Sequence, residues 1–372
     1  GDGKDKHGAK EKVFHGRRII TDYLLASAAM SSPASLKADL QKLLKSTEAA
    51  GKTYGFNDGH DSSLPADHWF QDTLEGEAFF LILYTQACLW SVCQGCNLPA
   101  LGSRTPVPAD MLKRQIDHAF RELLPPQRAR GLGKMILSNN GSVLDERTFP
   151  TEALEYFVRE LASRCPNTKV LTLESRSEYV DASELDLLAA ILREKVSSAV
   201  VELALGFEAF DDDIRNKVFR KGLTLKNFEK TAALAAAHGF HLKAYFMLKP
   251  VAGLSEEAAV EDVARGMEYL DALAAKHKVA INMHLNPTYA AKGTALGDAF
   301  LTGTYAPPLL DSLRRAALRA KGKRISLYLG LYDENQAVPG GSFIRPGDEA
   351  LLERLKEFNR TLDFGLLELG PS

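Results

Sequence analysis

From residue 79 onward, short apolar runs alternate with segments in which apolar residues recur at helical spacing. Apolar runs bounded by turn residues are typical of strands that are buried on both faces. They predict strands at Phe79–Thr85, Lys134–Ser138, Lys169–Glu174, Ala199–Leu205, Leu242–Leu248, Val279–Leu285 and Ile325–Leu331. The periodic segments predict helices at Asp110–Leu123, Glu152–Ser163, Ser183–Glu194, Leu225–His238, Glu256–His277 and Pro307–Ala320. Because strand and helix alternate, we expect a parallel sheet with right-handed crossovers.

The predicted strands number about six or seven, fewer than the eight of a closed TIM barrel. An open or partial α/β barrel fits this pattern, with its active site at the carboxyl ends of the strands, and an open doubly wound sheet is the alternative. Helical periodicity at Arg17–Met30 and Ala34–Ala49, followed by a polar loop over Gly51–Asp67, predicts a separate N-terminal part. We therefore expect an N-terminal helical extension over 1–76, a core over 77–331 and a C-terminal extension over 332–372.

Length and charge limit the classes of function. The 372 residues carry a formal net charge of −2, and 45% of them are hydrophobic. A chain of this composition can bury a substantial core, whereas its near-neutral charge gives no strongly basic field for nucleic acid. The sequence has no apolar run long enough for a membrane helix and no apolar core of a signal peptide, so we expect a cytoplasmic protein with no membrane partner.

Three of the four cysteines, Cys88, Cys93 and Cys96, follow the first predicted strand of the core. Three thiolates at a strand end can converge on one inorganic centre, and an iron–sulfur cluster with one open iron is the preferred interpretation. A structural zinc site that uses His60 or His68 as fourth ligand is the alternative, although such sites usually contain two paired cysteine knuckles. A disulfide is disfavoured because three clustered cysteines cannot all pair. Cys165, beside a proline, is expected in a surface turn.

Polar residues follow several predicted strands. The turn Ser138–Ser142 exposes backbone groups to a ligand, or is an ordinary turn between strand and helix. Glu174 and Arg176 could bind a ribose hydroxyl and a carboxylate, or form a surface ion pair. At the next strand end, Gly206 permits close backbone approach and Glu208 could accept hydrogen bonds.

Two later strands carry polar residues at alternate positions. Alternation places one set on one face of each strand: Lys243, Tyr245, Met247 and Lys249, then Asn282, His284 and Asn286. Polar groups on the inward face would indicate a substrate cavity, and an outward orientation is equally compatible with the sequence. Tyr245 and His284 are the candidate catalytic residues.

Three segments resemble the radical S-adenosylmethionine superfamily. The segments are SNNGSVLDERTFP, LESRSEY and VELALGFEAFDDDIRNKVFRKGLTLKNFEKTAALAAAHGFHLKAYFMLKP, within a resemblance that runs from about Phe79 to Leu331. They are most similar to the branch that holds the elongator catalytic subunit and the radical subunit of archaeosine synthase. The gap between Cys88 and Cys93 is one residue longer than the usual motif, which a loop can absorb. We expect neither methylthiotransferase nor acetyltransferase activity, because no cysteine precedes Cys88 in this sequence and the residues after 331 are too few for an acetyltransferase domain.

The resemblance implies a partial (β/α)₆ TIM-type barrel, with a 4Fe–4S cluster on Cys88, Cys93 and Cys96. It implies that the methionyl amine of S-adenosylmethionine lies against the turn that contains Asn139, Asn140, Gly141 and Ser142. Arg176 would pair with the methionyl carboxylate and Glu174 with the ribose or amine, and Gly206 and Glu208 would help to place the adenosyl group. The reduced cluster would cleave the cofactor to a 5′-deoxyadenosyl radical that abstracts a substrate hydrogen.

The resemblance leaves the substrate open. Relatives on this branch modify tRNA bases, and two groups of basic residues could contact RNA: Lys217, Arg220, Lys221, Lys226 and Lys230, then Arg314, Arg315, Arg319, Lys321, Lys323 and Arg324. Such groups are more often solvated helix faces, so a small molecule or a peptide is the alternative substrate. A non-catalytic iron–sulfur or zinc protein is the remaining class. An enzyme of this kind also needs an electron donor such as a flavodoxin or ferredoxin.

Overall fold

We describe a computed structural model of the chain, which covers residues 33–195 and 197–370. It contains one eight-stranded sheet in which the strands follow one another in chain order. The strands are β1 (Asp67–Thr73), β2 (Gly76–Leu83), β3 (Lys134–Asn139), β4 (Val170–Ser175), β5 (Val200–Glu208), β6 (His241–Leu248), β7 (Ile281–Pro287) and β8 (Ser326–Leu329). β2 to β8 pair in parallel, whereas β1 is antiparallel to β2.

Most of the helices connect successive parallel strands, whereas the first precedes β1 and the last two follow β8. They are α1 (Pro33–Ala49), α2 (Ala109–His118), α3 (Pro126–Gly131), α4 (Thr151–Arg164), α5 (Ala182–Glu194), α6 (Leu225–Ala237), α7 (Glu256–His277), α8 (Ala295–Leu301), α9 (Leu310–Leu318), α10 (Glu349–Thr361) and α11 (Gly365–Glu368). The strand order never reverses, which excludes the doubly wound alternative. The expected α/β fold with a partial TIM-type barrel is confirmed.

The predicted strands of the core are all present, with ends shifted by a few residues. β3 is buried along its whole length, as its apolar sequence predicts. The predicted helix over 17–30 lies outside the described residues. The division of the chain at residues 76 and 331 stays an expectation, and β1, which precedes residue 77, is hydrogen-bonded to the core sheet.

The main core lies between the sheet and the helices that cover it. Phe207 of β5 stacks on Phe246 of β6 with ring centroids 4.6 Å apart, and Phe228 of α6 meets Phe207 edge-on at 4.9 Å. Gly266 in α7 lets that helix approach, since a Cβ there would lie 2.4 Å from the Phe246 ring. This packing fixes β5 and β6, whose carboxyl ends carry several candidate site residues.

The barrel is incomplete because β1 and β8 are the two edges of the sheet. The side chain of Asn359, on α10, donates to the Leu329 carbonyl and accepts from the Leu329 amide, both at 2.8 Å, so it pairs the free edge of β8. Across the gap, Arg360 lies 3.3 Å from Asp72, and the Trp69 and Tyr332 rings meet at 5.7 Å. We call this junction between β1 and the β8–α10 region the seam. Within the described ranges, no helix combines the length and apolar character needed to cross a bilayer.

Candidate active site

A cavity of about 680 Å³ lies where the parallel strands end. Most of the residues singled out in the sequence share its lining, and these are Cys88, Cys93, Cys96, Asn139, Asn140, Gly141, Glu174, Arg176, Gly206, Glu208, Tyr245 and His284. Ser142 differs, because it is 2% exposed and lies outside the lining, with no partner for its hydroxyl among the described residues. The inward face of the strands is therefore polar around a cavity.

The cysteine loop after β2 is held by backbone contacts. The Cys88 amide donates to the Asn140 carbonyl at 2.7 Å, and the Cys96 amide donates to the Cys93 carbonyl at 3.2 Å. Lys52, in the segment after α1, donates to the Cys96 carbonyl at 2.8 Å. The three thiols are free and face one cavity. The N-terminal segment thus helps to shape the cysteine loop.

Burial raises the pKa of the Cys93 thiol to about 12 and also raises the pKa of Cys96. Lys221 near Cys93 and Lys52 near Cys96 oppose this effect, because positive charge favours the thiolate. Bound metal provides much stronger compensation, since it deprotonates a coordinating thiol. Three free cysteines beside fixed cations are therefore a donor set that fits an iron–sulfur cluster.

The zinc alternative lacks its expected fourth ligand. His60 Nε2 donates to the Leu64 carbonyl at 3.0 Å and its ring packs on Tyr84, while the His68 ring contacts Phe79. Neither histidine lines the cavity. Across residues 33–195 and 197–370, no group of three or more His, Cys, Asp or Glu side chains is assembled around a single ion position. This holds for the three cysteines as well, so the finding does not by itself separate zinc from a cluster.

The turn after β3 packs directly on the cysteine loop. The Asn139 side-chain oxygen accepts from the Gly141 amide at 3.0 Å, while its amide nitrogen has no partner among the described residues. A Cβ on Gly141 would lie 3.5 Å from Cys88 Cα, so the two backbones nearly touch. The free Asn139 amide, which lines the cavity, is available to donate to a ligand.

Glu174 is held at the centre of the polar face. Ser138 Oγ donates to one of its oxygens at 2.5 Å, and the Tyr245 hydroxyl donates to the other. Burial raises the pKa of Glu174, and burial together with Glu174 raises the pKa of Tyr245 well above its usual value. Tyr245 is therefore a hydrogen-bond donor at neutral pH and does not act as a phenolate.

His284 lies between Tyr245 and Tyr328, with each ring centroid 4.7 Å from that of His284. Burial, and then the charges of Lys243 and Lys134, lower the pKa of His284 well below its usual value. Its imidazole is neutral at pH 7, and Nδ1 has no partner among the described residues. His284 can thus exchange a hydrogen bond with a ligand in the cavity.

Arg176 does not pair with Glu174. Its guanidinium lies 4.5 Å from the centre of the Trp90 ring, and Nε contacts Glu178 at 2.6 Å. Nη2 donates to the Lys221 carbonyl at 3.0 Å. The side chain is therefore fixed before any ligand binds, with part of its donor fork uncommitted.

Lys221 and Glu208 form an ion pair at 2.8 Å in the cavity wall, which the sequence analysis did not identify. A Cβ on Gly206 would lie 2.2 Å from Lys221 Nζ, so this glycine provides the space that the lysine occupies. The prediction that Lys221 belongs to an exposed basic surface is wrong. Its neighbour Arg220 adopts a positive φ of 66°, and this turn directs the chain inward. A run of basic residues in the sequence does not indicate which of them faces the interior.

The alternating residues of β6 and β7 lie in three places. Tyr245, Met247, His284 and Asn286 line the cavity. Lys243 lies deeper in the barrel with Lys134, and both approach Glu202, at 3.6 and 2.9 Å. Asn282 lies near Lys243 at that end, bonded to Ser326 at 2.9 Å. Lys249 pairs with Glu256 at 2.7 Å, outside the cavity.

The basic groups are largely paired. Lys217 pairs with Asp213 at 2.8 Å, and Arg220 donates to the Ala49 carbonyl. Each residue of the second group forms an ion pair with a carboxylate, as found for Arg314, Arg315, Arg319, Lys321, Lys323 and Arg324. Lys226 and Lys230 are exposed and have no ion pair with any described residue. Cys165, expected in a surface turn, is 1% exposed at the end of α4.

Known proteins align with most of this chain at 25–27% identity, although no protein-family model matches it. It is 27% identical to archaeosine synthase subunit beta of Thermococcus kodakarensis over 311 residues, which cover 79% of this chain and 88% of the relative. It is 25% identical over 261 residues to an uncharacterized protein of Methanocaldococcus jannaschii, over 68% of each chain.

A solved structure of Elp3 from Methanocaldococcus infernus aligns with a TM-score of 0.43 and 15% identity, over 62% of this chain. The aligned part spans 55% of that Elp3 chain, about half of its length. The resemblance of this chain to the archaeosine-synthase branch is confirmed by its similarity to the archaeosine synthase subunit over most of the sequence.

Proposed function

We propose that this chain is a radical S-adenosylmethionine enzyme with a 4Fe–4S cluster on Cys88, Cys93 and Cys96. The supporting observation is that three free thiols, the polar turn at 139–141 and the end of β4 face one cavity at the carboxyl ends of parallel strands. When bound, the cluster and its cofactor supply reductive cleavage of a carbon–sulfur bond and hydrogen abstraction from the substrate.

The cofactor contacts follow from groups that are already fixed. Arg176, whose guanidinium lies over the Trp90 ring, can direct its uncommitted donors at the methionyl carboxylate. Glu174, oriented by Ser138 and Tyr245, can accept from the amine or a ribose hydroxyl. The unpartnered Asn139 amide is a further donor, whereas Ser142 can contribute only through its backbone because its side chain is outside the lining.

Tyr245 and His284 are proposed to contact the substrate. Tyr245 stays protonated and orients Glu174, and neutral His284 offers Nδ1 to a donor or acceptor. The Tyr245 and Tyr328 rings flank His284, and such rings can limit the access of water to this side of the cavity. Glu208 and Gly206 contribute to the cofactor side indirectly, by placing Lys221 in the wall.

Modification of a tRNA base is the substrate class that we propose first, because the resemblance implies it and a relative is named archaeosine synthase subunit beta. A small molecule or peptide is the second candidate, favoured by the ion pairing of most surface cations. In either case an electron donor such as a flavodoxin or ferredoxin is a proposed partner, because the cluster requires one-electron reduction.

The test of the enzyme class is anaerobic reconstitution followed by incubation with S-adenosylmethionine and a reductant. We expect about four irons per chain, the content of one cube, and formation of 5′-deoxyadenosine. Replacement of Cys88, Cys93 or Cys96 by Ala should abolish both, and Cys165→Ala is the matched control that should retain the iron. Stoichiometric zinc without iron uptake would instead support the non-catalytic alternative.

The test of substrate class uses the two exposed, unpaired lysines. Replacing Lys226 and Lys230 by Glu should weaken tRNA binding and reduce its salt slope by about one unit per lost phosphate contact. Lys113→Glu, at a lysine outside both basic groups that is already paired with Glu152, is the control. Absence of tRNA binding by the native protein at low salt would favour the small-molecule or peptide substrate.

A further inference from the structure

The segment after β8 brings a carboxylate into the cavity that the sequence did not reveal. Glu334 lines the cavity, and its carboxylate has no hydrogen bond or ion pair with any residue in 33–195 or 197–370. The residue adopts a positive φ of 55°, as does Asn335, so the chain turns sharply there. The side-chain nitrogen of Asn335 donates to the Tyr332 hydroxyl at 2.8 Å. The turn is therefore held by its own hydrogen bond, and Glu334 faces the cavity.

This turn is also tied to the cysteine loop. Asn97, which follows Cys96, donates to the Gln336 side-chain oxygen at 3.3 Å. The Gln336 carbonyl accepts from the Lys292 amide at 2.9 Å, which joins the turn to the loop after β7. Glu334 thus has a defined position relative to the cysteine end of the cavity.

The surroundings of Glu334 are negatively charged. Burial, then Glu174, Asp67 and Asp333, raise the pKa of Glu334 to about 7. The Glu174 carboxylate accepts only from the hydroxyl groups of Ser138 and Tyr245, so its hydrogen bonds bring no positive charge toward Glu334. A partly buried carboxylate without a cationic partner is costly, and a bound cation would remove that cost.

The cations of the lining are already committed elsewhere. Arg176 and Lys221 pair with Glu178 and Glu208, and at the seam Lys356 pairs with Glu353. Arg360 pairs with Glu357 and Asp72. Since no described cation reaches Glu334, a cationic ligand in the cavity would provide the missing charge complement.

Other parts of the lining suit a cationic ligand. Tyr289 and Tyr332 line the same cavity, and aromatic faces attract cations. His284, which is 7% exposed, also faces the cavity, and its Nδ1 is buried without a partner among the described residues. These groups are independent of the carboxylates and also indicate a polar ligand.

We propose that Glu334 determines specificity by binding a positively charged group of the substrate, such as an ammonium, amidinium or guanidinium group. This inference rests on the proposed function, because it assigns the substrate to the part of the cavity that the cofactor contacts do not use. Glu334 acts by recognition and takes no part in bond cleavage. The substrate would be placed beside Tyr245 and His284.

The probes for this subsite are benzamidine, an amidinium, and benzyl alcohol, a neutral molecule of similar shape. Binding to the full chain is measured at pH 8 by ligand-observed NMR, since Glu334 is then mostly ionised. We expect benzamidine to bind more tightly than benzyl alcohol. Glu334→Gln should weaken benzamidine binding by about tenfold, which corresponds to one hydrogen bond to a charged group, and leave benzyl alcohol unchanged. Glu334→Asp, which keeps the charge, should retain the preference for benzamidine.

Glu268→Gln is the matched control, because it removes a carboxylate that is 71% exposed and pairs with Lys323 away from the cavity. It should bind both probes like the native chain. Equal affinity for the two probes, or equal benzamidine affinity in the native chain and Glu334→Gln, would overturn the proposal.

A second titration uses reconstituted protein with saturating S-adenosylmethionine. Retained benzamidine binding supports a substrate subsite, whereas displacement would assign Glu334 to the cofactor and overturn the proposal. The probe measurement requires no turnover, so its failure is distinguishable from failure of the proposed function. The latter would appear as absence of 5′-deoxyadenosine from the native protein.

Discussion

Arg176 is held by three different kinds of contact. It stacks on Trp90, pairs with Glu178 and donates to the Lys221 carbonyl. A lysine at this position would keep the charge but lose the planar fork and the stacking surface. The chemistry of this one side chain can therefore be tested without changing the net charge.

We predict that Arg176→Lys weakens binding of S-adenosylmethionine by about tenfold or more, because a point charge cannot reproduce a bidentate contact with a carboxylate. Isothermal titration of reconstituted protein measures the affinity, and iron content should be unchanged. Arg319→Lys, at an exposed ion pair with Glu261, provides the comparison. If both variants bind the cofactor like the native protein, Arg176 is not a cofactor contact.

At the scale of elements, α4 and α5 meet through buried carboxylates. Thr151, at the start of α4, donates to Glu146 at 2.5 Å and to Glu184 of α5 at 3.4 Å. Burial, and then Glu146, raise the pKa of Glu184 to about 8. The folded state therefore binds a proton here that the unfolded state releases above its ordinary pKa.

We predict that the raised pKa of Glu184 makes the protein less stable as pH rises from about 5 to 8. A carboxylate in a salt bridge would have the opposite effect, because its pKa is lowered and it stabilises the folded state as pH rises. Urea unfolding at pH 5.5 and 8 should show the free energy of unfolding falling, and Glu184→Gln should reduce the fall. Glu194→Gln, on the same helix at an exposed pair with Arg159, should leave the pH dependence as it is. A Glu184→Gln chain with the native pH dependence would contradict the assignment.

The sequence predicts β2, β3 and β4 from short apolar runs, which suit strands buried along most of their length. β6 and β7 are also predicted, although polar residues alternate along them. The sequence does not predict β1, whose residues DHWFQDT are mostly polar and half-buried, since this strand forms through pairing with β2. Among the site residues, the three cysteines can be predicted from their close spacing, and the polar residues at strand ends from their position after the apolar runs. Lys221 and Glu334 do not, because positive φ values at Arg220 and Glu334 direct their segments into the cavity.

At the scale of the whole molecule, the sheet has a free edge at β8 that one side chain completes. Asn359 satisfies both backbone groups of Leu329, which is fully buried. Removing the amide would leave a donor and an acceptor without partners, at about 1–3 kcal/mol for each group.

We predict that Asn359→Ala lowers the free energy of unfolding by at least about 2 kcal/mol, since two buried groups lose their partners. Chemical denaturation measures the loss. Arg360→Ala, one position along α10, removes an exposed ion pair with Asp72 and should change stability little. Equal stability of the two variants would show that the edge of β8 is satisfied in another way.

In a closed barrel the width of the interior is tied to the hydrogen-bond register of the strands, whereas at the seam the two can change separately. Because the contacts described across it are made by side chains, parting them exchanges no ladder hydrogen bond between β1 and β8. The four side chains of the seam also line the cavity, and these are Trp69, Asp72, Tyr332 and Arg360. The width of the cavity at the seam can therefore be changed by substituting them while the strand register stays the same. Substitutions at these four positions would alter the size of molecule that the interior admits, and the same scaffold could accept a bulky polymer end or only a metabolite.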